Sequence, residues 1–509
     1  MASFMERQAL SSADATLFWD PGLGTPSLDE AWLAGLRADV AHAGLALGTS
    51  GAPIASDFAT ATWMWNVDPS PEIVATSWRL SLRACLIRRD VLRQLGGIHP
   101  GFRSLDAAAL ELGHRYLTRG AFVQHEPRLV AGARLAGARL QPVQLSLHDE
   151  LLFAQLRFGP FWARWALGRG LITRAYRASD LPDAIKALTV KVPAARTFVR
   201  TERRVSLSLD AQVSVILPTI ERYPYLRALL PQLAAQTYPV HEIIIVDQTP
   251  AKARDRTLAT DFPALPIRII YQDTPGQCTA RNEALRIATG DHALFIDDDD
   301  EVEPDLVERH LTTMAIYDVD VCCGVAEEDG AGPIPEYQQF LRASDVFPTN
   351  NSMIRRRVLA ATGMFDLAYD RKVCEDRDLG MRLYLAGTLM ILDSRISVLH
   401  HHAPRGGLRK HGARAVTYAS SRTRLTHRNL PHISEIYLGL RYFSERQVRE
   451  MIVLRTLGTM RSKGVPLHQM MKLAYGLGVM GDSRRKVEAA EQAARELLRS
   501  YPQIDQLPA

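Results

Sequence analysis

Four consecutive aspartates, Asp297 to Asp300, stand directly after a short apolar run in the middle of the chain. Adjacent carboxylates repel one another unless a cation gathers them, and carboxylate oxygens are the ligands that Mg²⁺ and Mn²⁺ prefer. Because Phe295 and Ile296 lead into the acids from a predicted buried strand, a solvated acidic turn explains the run poorly. The pattern predicts a divalent-metal site, with a nucleoside diphosphate completing the coordination shell.

A second acidic group opens a predicted helix at residues 374–387. Glu375, Asp376 and Asp378 fall in its first turn. Helix N-termini favour negative charge, so capping alone accounts for some of these acids. A carboxylate at a sheltered helix start can also remove a proton from an acceptor hydroxyl. The segment is therefore a candidate source of a general base.

Histidines and two isolated charged residues complete the candidate set. His400 to His402 follow an apolar run, and one neutral imidazole there would complete a metal shell, with His400 as the first candidate. Asp247 ends a β-branched run, where a carboxylate either accepts from a ligand N–H or serves as a turn residue. Arg281 follows Gly276 at the start of a predicted helix, where it faces either anionic phosphates or solvent.

Strands and helices that alternate from residue 211 onward must hold these side chains. Apolar runs predict strands at Val213–Thr219, Glu242–Asp247, Ile267–Tyr271 and Ala293–Ile296, and helical spacing predicts helices at Tyr225–Gln236 and Ala280–Thr289. The candidate residues come just beyond the carboxyl ends of strands. This order predicts an α/β protein with an open, doubly wound sheet and a site at its strand ends.

In this order the segments resemble family 2 glycosyltransferases, which are inverting enzymes of the Rossmann-like GT-A fold, over residues 211–402. VSVILPT (213–219) and IIIVDQT (243–249) are similar to the family's first two strands. GQCTARNEALRIATGD (276–291) resembles its G-x-x-x-ARN-x-A segment, FIDDDDEVEPDLV (295–307) its DXD motif, and CEDRDLGMRLYLAG (374–387) its ED motif. Ile220-Glu221 departs from the Tyr-Asn that often follows Pro-Thr in the family.

The resemblance implies a role for each candidate residue. It implies that Asp376 is the catalytic base with Glu375 beside it, and that Asp297 and Asp299 form the DXD pair. The metal, Mn²⁺ or Mg²⁺, would meet Asp299, Asp297 and His400. The nucleotide-sugar site would comprise Pro218, Thr219, Glu221, Asp247, Arg281, Asp297 and Asp298, with Asp247 on the base.

The resemblance also implies a reaction and its partners. A sugar would pass from a nucleotide-sugar donor, a UDP-sugar by analogy with the family, to a hydroxyl acceptor with inversion of the anomeric centre. The acceptor would be a saccharide or a lipid-linked intermediate of polysaccharide or glycoconjugate biosynthesis.

The first 200 residues carry a partial copy of the later pattern. Two segments match two later ones at one constant offset of 267 residues: 87–96 with 354–363, and 112–120 with 379–387. At that offset Ala108 and Ala109 stand where the later copy has Glu375 and Asp376. Residues 1–200 are therefore predicted to be a degenerate GT-A-like half-domain that does not catalyse, followed by a catalytic domain at 211–404.

Composition and charge fit an enzyme of several parts. The 509 residues are 47% hydrophobic and 23% charged, which excludes collagen-like, coiled-coil and wholly disordered chains. No apolar run approaches the roughly 18–20 residues of a membrane span, and the first residues do not resemble a signal peptide. Five scattered cysteines fit a reducing cytoplasm.

The net charge of the whole chain is +5, but basic residues are concentrated in a helical region at residues 405–509. Residues 405–486 contain 17 Lys and Arg against four acids. The region is either a solvated helical cap on the catalytic domain or a binding surface. As a binding surface it would contact either anionic lipid at the inner face of the membrane or a phosphate-bearing acceptor. Nucleic acid is not expected, because no nucleic-acid-binding motif accompanies the charge.

Two alternatives remain open beside the glycosyltransferase. A nucleotidyltransferase also combines an α/β sheet with acidic metal ligands, but it is expected to carry a glycine-rich basic loop after its first strand, which residues 218–222 do not form. A non-catalytic carbohydrate-binding or scaffold protein would have no need of the acids at 297–300 and 375–376. The leading hypothesis is a metal-dependent inverting glycosyltransferase.

Overall fold

The computed structural model describes residues 15–26, 28–48, 67–134, 145–200, 210–330, 332–403, 406–408 and 418–507. Within these ranges the strands are β1 Ala15–Trp19, β2 Val40–His42, β3 Ala75–Thr76, β4 Ala84–Arg88, β5 Val123–His125, β6 Val213–Thr219, β7 Glu242–Asp247, β8 Ile267–Tyr271, β9 His292–Ile296, β10 Asp300–Val302, β11 Val321–Glu328, β12 Arg342–Ala343, β13 Asn351–Arg355 and β14 Met390–His400. Residues 1–14, where no signal peptide is predicted, and parts of the basic region, 405, 409–417 and 508–509, lie outside the described residues.

The helices are α1 Glu30–Gly35, α2 Arg89–Leu95, α3 Leu105–Thr118, α4 Leu147–Phe158, α5 Pro160–Ile172, α6 Leu181–Leu188, α7 Tyr223–Ala234, α8 Leu258–Asp261, α9 Gln277–Ile287, α10 Leu306–Tyr317, α11 Arg357–Thr362, α12 Glu375–Leu385, α13 Tyr418–Thr423, α14 Ile433–Tyr442, α15 Glu445–Gly458, α16 Pro466–Gly478 and α17 Met480–Ser500. Short 3-10 turns join several of them. Among the described residues no helix is both long and apolar enough to cross a bilayer.

The larger sheet has nine strands in the order β10-β14-β11-β13-β9-β6-β7-β8, with β12 beside β14. Its centre is parallel, because β6 runs alongside both β7 and β9. The side chains of β6, β7 and β9 are almost all buried, as near-continuous apolar strands covered on both faces must be. All four predicted strands of this region are present, and the predicted α/β class is confirmed.

Both predicted helices of the larger sheet are present with shifted bounds. Helix α7 begins two residues before the predicted start, since Pro224 is favoured in a first turn. Helix α9 begins at Gln277 instead of Ala280, because the Asp370 carboxylate accepts the N–H groups of Cys278 and Thr279 at 2.8 and 3.1 Å. A side chain ninety residues away therefore caps this helix.

A smaller sheet in the N-terminal part has the order β1-β4-β2-β5-β3. Strands β9-β13-β11-β14-β12 of the larger sheet repeat that order and the same strand directions. The register is also the same. Val40 lies opposite Ile87 and Val123, and in the larger sheet Val321 lies opposite Ile354 and Met390.

The two sheets contact each other through equivalent positions. Gly120 lies against the backbone of Leu341, and Gly387 lies against that of Val74. Both glycines and both of their partners are 267 residues apart in sequence. Such reciprocal contacts are the mark of a twofold interface, in which each side presents the same patch.

An ion pair at the same interface supports the twofold relation. Arg37 Nη2 lies 3.1 Å from Asp318 Oδ2, and the two residues stand three positions before β2 and β11 respectively. One apolar core continues from Trp78 and Phe153 in the N-terminal part to Phe295 in the larger sheet. The two halves therefore fold against each other as one body.

The C-terminal helices pack on the larger sheet through α14. Tyr437 Oη donates to Asp366 at 2.6 Å, and Tyr442 Oη donates to Asp378 at 2.8 Å. Helix α17 packs along α14 in turn. Part of the C-terminal helical region therefore packs against α12 and the segment that precedes it.

Candidate active site

A cavity of about 400 Å³ opens at the carboxyl ends of β6 and β9. Eight of the residues predicted from sequence line it: Pro218, Thr219, Arg281, Asp297, Asp298, Glu375, Asp376 and His400. They come from separate strands, helices and loops across nearly two hundred residues. The cavity lies where a doubly wound sheet is expected to bind its ligands, outside the carboxyl ends of its strands.

Asp297 to Asp299 form the turn between β9 and β10, and Asp300 is the first residue of β10. Arg222 lies among these acids. Arg222 Nη1 is 2.9 Å from Oδ1 of both Asp298 and Asp299. Thr219 Oγ1 donates to the other oxygen of Asp298 at 2.7 Å. Burial raises the pKa of Asp298 to about 7, against the opposing effect of the guanidinium. The protein thus supplies its own cation to the buried part of the acidic turn.

One set of ligand atoms in the turn suits a divalent cation. Oxygens of Asp297 and Asp299 and a nitrogen of His400 lie within 4.8 Å of one another, an oxygen-rich set that fits Mn²⁺ or Mg²⁺. The protein orients Asp299 through both of its oxygens, since Arg222 contacts one and the N–H of Ala403 donates to the other at 2.7 Å. The residues present therefore fit the predicted metal.

The three histidines have different partners. His400 Nδ1 lies 2.8 Å from Asp300; burial opposes its protonation, but Asp300 and the neighbouring aspartates raise the pKa of His400 to about 9. His401 pairs with Glu301, and His402 pairs with Glu328. A second, more exposed group of possible ligands comprises Glu328, His400 and His402. Only His400 of the three belongs to the group that contains Asp297 and Asp299.

Arg281 joins the acidic turn to the predicted base. Its Nη2 is 3.4 Å from Asp297 Oδ1 and its Nη1 is 3.4 Å from Glu375 Oε1. The residue is 4% exposed and lies in the second turn of α9, since the helix begins earlier than predicted. A phosphate group entering the cavity would meet this guanidinium.

The predicted base lies at the N-terminus of α12. Cys374 takes the left-handed conformation, with φ of 83°, immediately before Glu375 and Asp376, which both face the cavity. Asp378 is buried and bonded to Arg382 and Tyr442, so its role is to hold the helix. Two of the three first-turn acids are thus available for chemistry.

The charges of Glu375 and Asp376 predict a pH dependence. Burial raises the pKa of Glu375 to about 7, with repulsion from Asp376 adding to it, and burial also raises the pKa of Asp376. A base acts as its carboxylate, so we expect the fall of kcat/KM on the acid side to lie above the pH of about 4 at which an ordinary aspartate titrates.

The test is a pH profile of wild type beside Glu375→Gln. Removing the neighbouring negative charge should lower the pKa of Asp376 and move the acid limb of the profile to lower pH. The stability of the donor at each pH is the control. An acid limb at the same pH in both proteins would contradict the coupling of these two carboxylates.

Three predicted residues lie outside the cavity lining. Asp247 is 2% exposed; its oxygens accept from Tyr223 Oη at 2.7 Å and from the Thr249 N–H at 2.9 Å. Glu221 is exposed, in a left-handed conformation with φ of 54°. Asp299 is buried behind the turn. A contact between Asp247 and a nucleotide base stays a prediction.

Several lining residues were not among those predicted from sequence. They include Arg222, Gln248, Gln277, Thr349, Lys372, Gly407 and Leu408. The sequence does mark Arg222, because it is a basic residue next to Ile220-Glu221, the pair that departs from the family pattern. The 406–408 segment crosses the cavity near β6, where the Gly407 N–H donates to the Ile220 carbonyl at 2.9 Å, and no local pattern marks such a crossing.

The N-terminal half has a different set of residues at the equivalent place. Asp20, which follows β1 as Asp297 follows β9, accepts from Arg83 Nε at 2.8 Å. Ala108 and Ala109 are buried within α3. An arginine thus neutralises the single acid, and no carboxylate occupies the positions equivalent to 375 and 376.

Comparison with known proteins gives a family match over a part of the chain that includes most of the cavity lining. Residues 214–375 match glycosyl transferase family 2. The chain is 31% identical over 118 residues to glycosyltransferase GlyA of Streptococcus pneumoniae, which is 23% of this chain and 17% of GlyA. It is 25% identical over 264 residues to the amylovoran biosynthesis glycosyltransferase AmsB of Erwinia amylovora, 46% of this chain and 85% of AmsB.

Each of these similarities covers part of this chain and part of the relative. The chain spans 17% of GlyA and between 31% and 62% of four further bacterial relatives. The mannosyltransferase PcManGT of Pyrobaculum calidifontis, solved with GDP-Man and Mn²⁺, is similar at 16% identity and a TM-score of 0.38, over 69% of this chain and 97% of that one.

Proposed function

Starting from residues 214–375 as a family 2 glycosyltransferase domain, we propose that the protein transfers a sugar from a nucleoside-diphosphate sugar to an acceptor hydroxyl, with inversion and with the help of Mn²⁺ or Mg²⁺. The donor we propose is a UDP-sugar. The acceptor is a saccharide or a lipid-linked intermediate in the biosynthesis of a polysaccharide or glycoconjugate. The five cysteines, all free and buried, support a reducing cytoplasmic setting.

One arrangement carries this proposal. The acidic turn at 297–300 and the acids at 375–376 face the same cavity, and Arg281 lies between them within 3.4 Å of both. Displacement at an anomeric carbon needs a base on the acceptor side and cationic or N–H groups on the leaving-group side. The cavity holds both sets of groups.

The residues act in sequence. Asp376 takes the proton of the acceptor hydroxyl as that oxygen attacks the anomeric carbon, and the bond to the diphosphate oxygen breaks on the opposite side. Arg281 donates to the departing diphosphate. Asp297, Asp299 and His400 would hold the divalent cation, which when bound neutralises charge that develops on the leaving group.

For the N-terminal half we propose a copy that has lost its chemistry. Its sheet repeats the register of β9-β13-β11-β14-β12, which supports a common origin with that part of the catalytic half. Two observations support the loss of catalysis: Arg83 donates a hydrogen bond to Asp20, and alanines occupy positions 108 and 109. The reciprocal contacts support a role as the catalytic half's permanent partner.

The proposed reaction is tested by donor turnover. Purified protein is incubated with UDP-, GDP- and dTDP-sugars, with added Mn²⁺ or with EDTA, and release of the nucleoside diphosphate is measured. We expect release from one nucleotide class, its loss in EDTA and its recovery with Mn²⁺. The same turnover with and without EDTA would overturn the metal requirement, and neither turnover nor binding across the panel would favour a scaffold.

Equivalent aspartates in the two halves give a matched control. Asp297→Asn should reduce turnover by about ten-fold or more, since it removes a ligand from the cation group. Asp20→Asn makes the same chemical change at the equivalent position of the N-terminal half and should leave turnover unchanged. Equal losses in the two variants would contradict the assignment of the chemistry to the catalytic half.

A further inference from the structure

Helix α16 has its polar and apolar faces reversed. An amphipathic helix on a protein in water turns its apolar stripe inward. Here Lys472 is fully buried, and its Nζ donates to the carbonyl oxygens of Arg424, Leu425 and His427 at 2.7, 2.9 and 2.6 Å. The side that faces solvent is apolar.

The exposed side, together with the residue before the helix, is called the α16 face. Its members are Val465, Leu467, Met470, Met471, Leu473 and Leu477. Val465 is 69% exposed, Leu467 65% and Met470 68%. The spacing 467, 470, 471 and 477 follows the helical repeat, so these side chains form one stripe. Contiguous exposed apolar surface of this kind marks a site of interaction.

Basic residues border the α16 face, and acids are missing from the surrounding sequence. Residues 451–481 contain four Lys and Arg and no acid; of the four, Lys472 is buried and Arg455 pairs with Glu435. Residues 151–179 contain five Arg and no acid; of the five, Arg157 and Arg169 pair with Glu111 and Glu450. The two stretches meet in the fold, where the Arg461 guanidinium lies 4.2 Å from the centre of the Phe161 ring. Phe161, Arg164, Arg461 and Lys463 are all exposed there.

We propose that the α16 face docks on the surface of an anionic lipid bilayer. The apolar stripe would enter the boundary between headgroups and acyl chains, and the basic border would contact acidic headgroups. The helix has 13 residues, about 20 Å at 1.5 Å per residue, which is short of the roughly 30 Å hydrocarbon core. It therefore lies along the surface and does not cross it.

A second copy of the chain fits the α16 face less well. A twofold contact would bring the two basic borders next to each other, with no acid in the flanking stretches to pair with them. An anionic surface satisfies the same charges. The docking proposal concerns the face alone and does not depend on the donor or the reaction proposed above.

Vesicle sedimentation tests the docking. The full chain is mixed with vesicles of phosphatidylcholine plus phosphatidylglycerol and, separately, of phosphatidylcholine alone. We expect binding to the anionic vesicles that weakens with salt and is much weaker on the neutral ones. Absence of binding to the anionic vesicles at low salt would overturn the proposal.

Two sets of variants locate the contact. The triple change Leu467→Ser, Met470→Ser and Leu477→Ser should weaken binding by about ten-fold or more, because it removes the inserted stripe. The double change Arg461→Gln and Lys463→Gln should weaken it by about five-fold per charge. All five side chains are at least partly exposed, so we expect unchanged thermal unfolding and unchanged donor hydrolysis in solution.

Matched controls use exposed residues on other surfaces. Val199→Ser with Tyr337→Ser controls for loss of apolar surface, and Arg357→Gln with Arg499→Gln controls for loss of charge; these four are 71%, 55%, 71% and 71% exposed. If the control variants bind the vesicles as weakly as the α16 variants do, the proposed location of the contact is overturned. Self-association that the triple change abolishes, without vesicle binding, would assign the face to a second copy.

Discussion

Replacing Asp376 with asparagine should lower the rate of sugar transfer by about 10²–10⁴-fold, the usual contribution of a general base. Asparagine keeps the size of the side chain but does not take a proton. Donor binding should be unchanged, because the ion pairs of Arg281 are with Asp297 and Glu375, and the substitution leaves both in place. Single-turnover transfer and donor binding by calorimetry measure the two effects separately.

The control for Asp376→Asn makes the same chemical change on the surface. Asp273 is 87% exposed, outside the cavity lining, and Asp273→Asn should transfer at the wild-type rate. Full transfer by Asp376→Asn would remove this residue from the role of base. Loss of donor binding together with transfer would show that Asp376 holds the donor instead.

Replacing Gly387 with alanine should destabilise the whole protein by about 2–5 kcal/mol. Gly387 has φ of 82°, a left-handed value that costs an L-residue about 1–2 kcal/mol. An added Cβ would also overlap the carbonyl oxygen of Val74 across the interface between the halves, and overpacking of this kind costs about 1–3 kcal/mol. The midpoint of urea unfolding, at an unchanged slope, measures the loss.

Two other glycines separate backbone strain from the interface. Gly24 also has a positive φ, of 85°, but open space around its Cβ position, so Gly24→Ala should show the strain alone. Gly120 is the twofold equivalent of Gly387, and its Cβ would lie 2.9 Å from the Leu341 oxygen. We expect losses in the order Gly387, Gly120, Gly24. Equal losses at Gly387 and Gly24 would show that the interface adds nothing.

Sequence patterns predicted the parts of the site that local structure fixes. The apolar runs of β6, β7 and β9 and the acids after them depend on neighbouring residues, so both the strands and the positions of Asp297 and Asp298 at a strand end follow from sequence. The helix bounds were less accurate, because the start of α9 depends on a cap from Asp370, which is distant in sequence.

Contacts between distant segments set the limit of prediction. Arg222 pairs with acids that lie 76 and 77 residues later, and no spacing rule connects them. The periodicity of α16 shows that the helix has an apolar face, but not that the fold buries Lys472 and leaves that face in solvent. The constant offset of 267 predicts a repeat, whereas the reciprocal contacts of Gly120 and Gly387 arise only in the folded chain.

The reciprocal contact between the halves has a consequence for how the protein behaves at low abundance. Two separate subunits joined by such a patch would come apart on dilution, and their active fraction would follow their concentration. Here the partner is tethered to the catalytic half by the chain itself, so its local concentration is fixed. Specific activity should therefore stay constant as the protein is diluted.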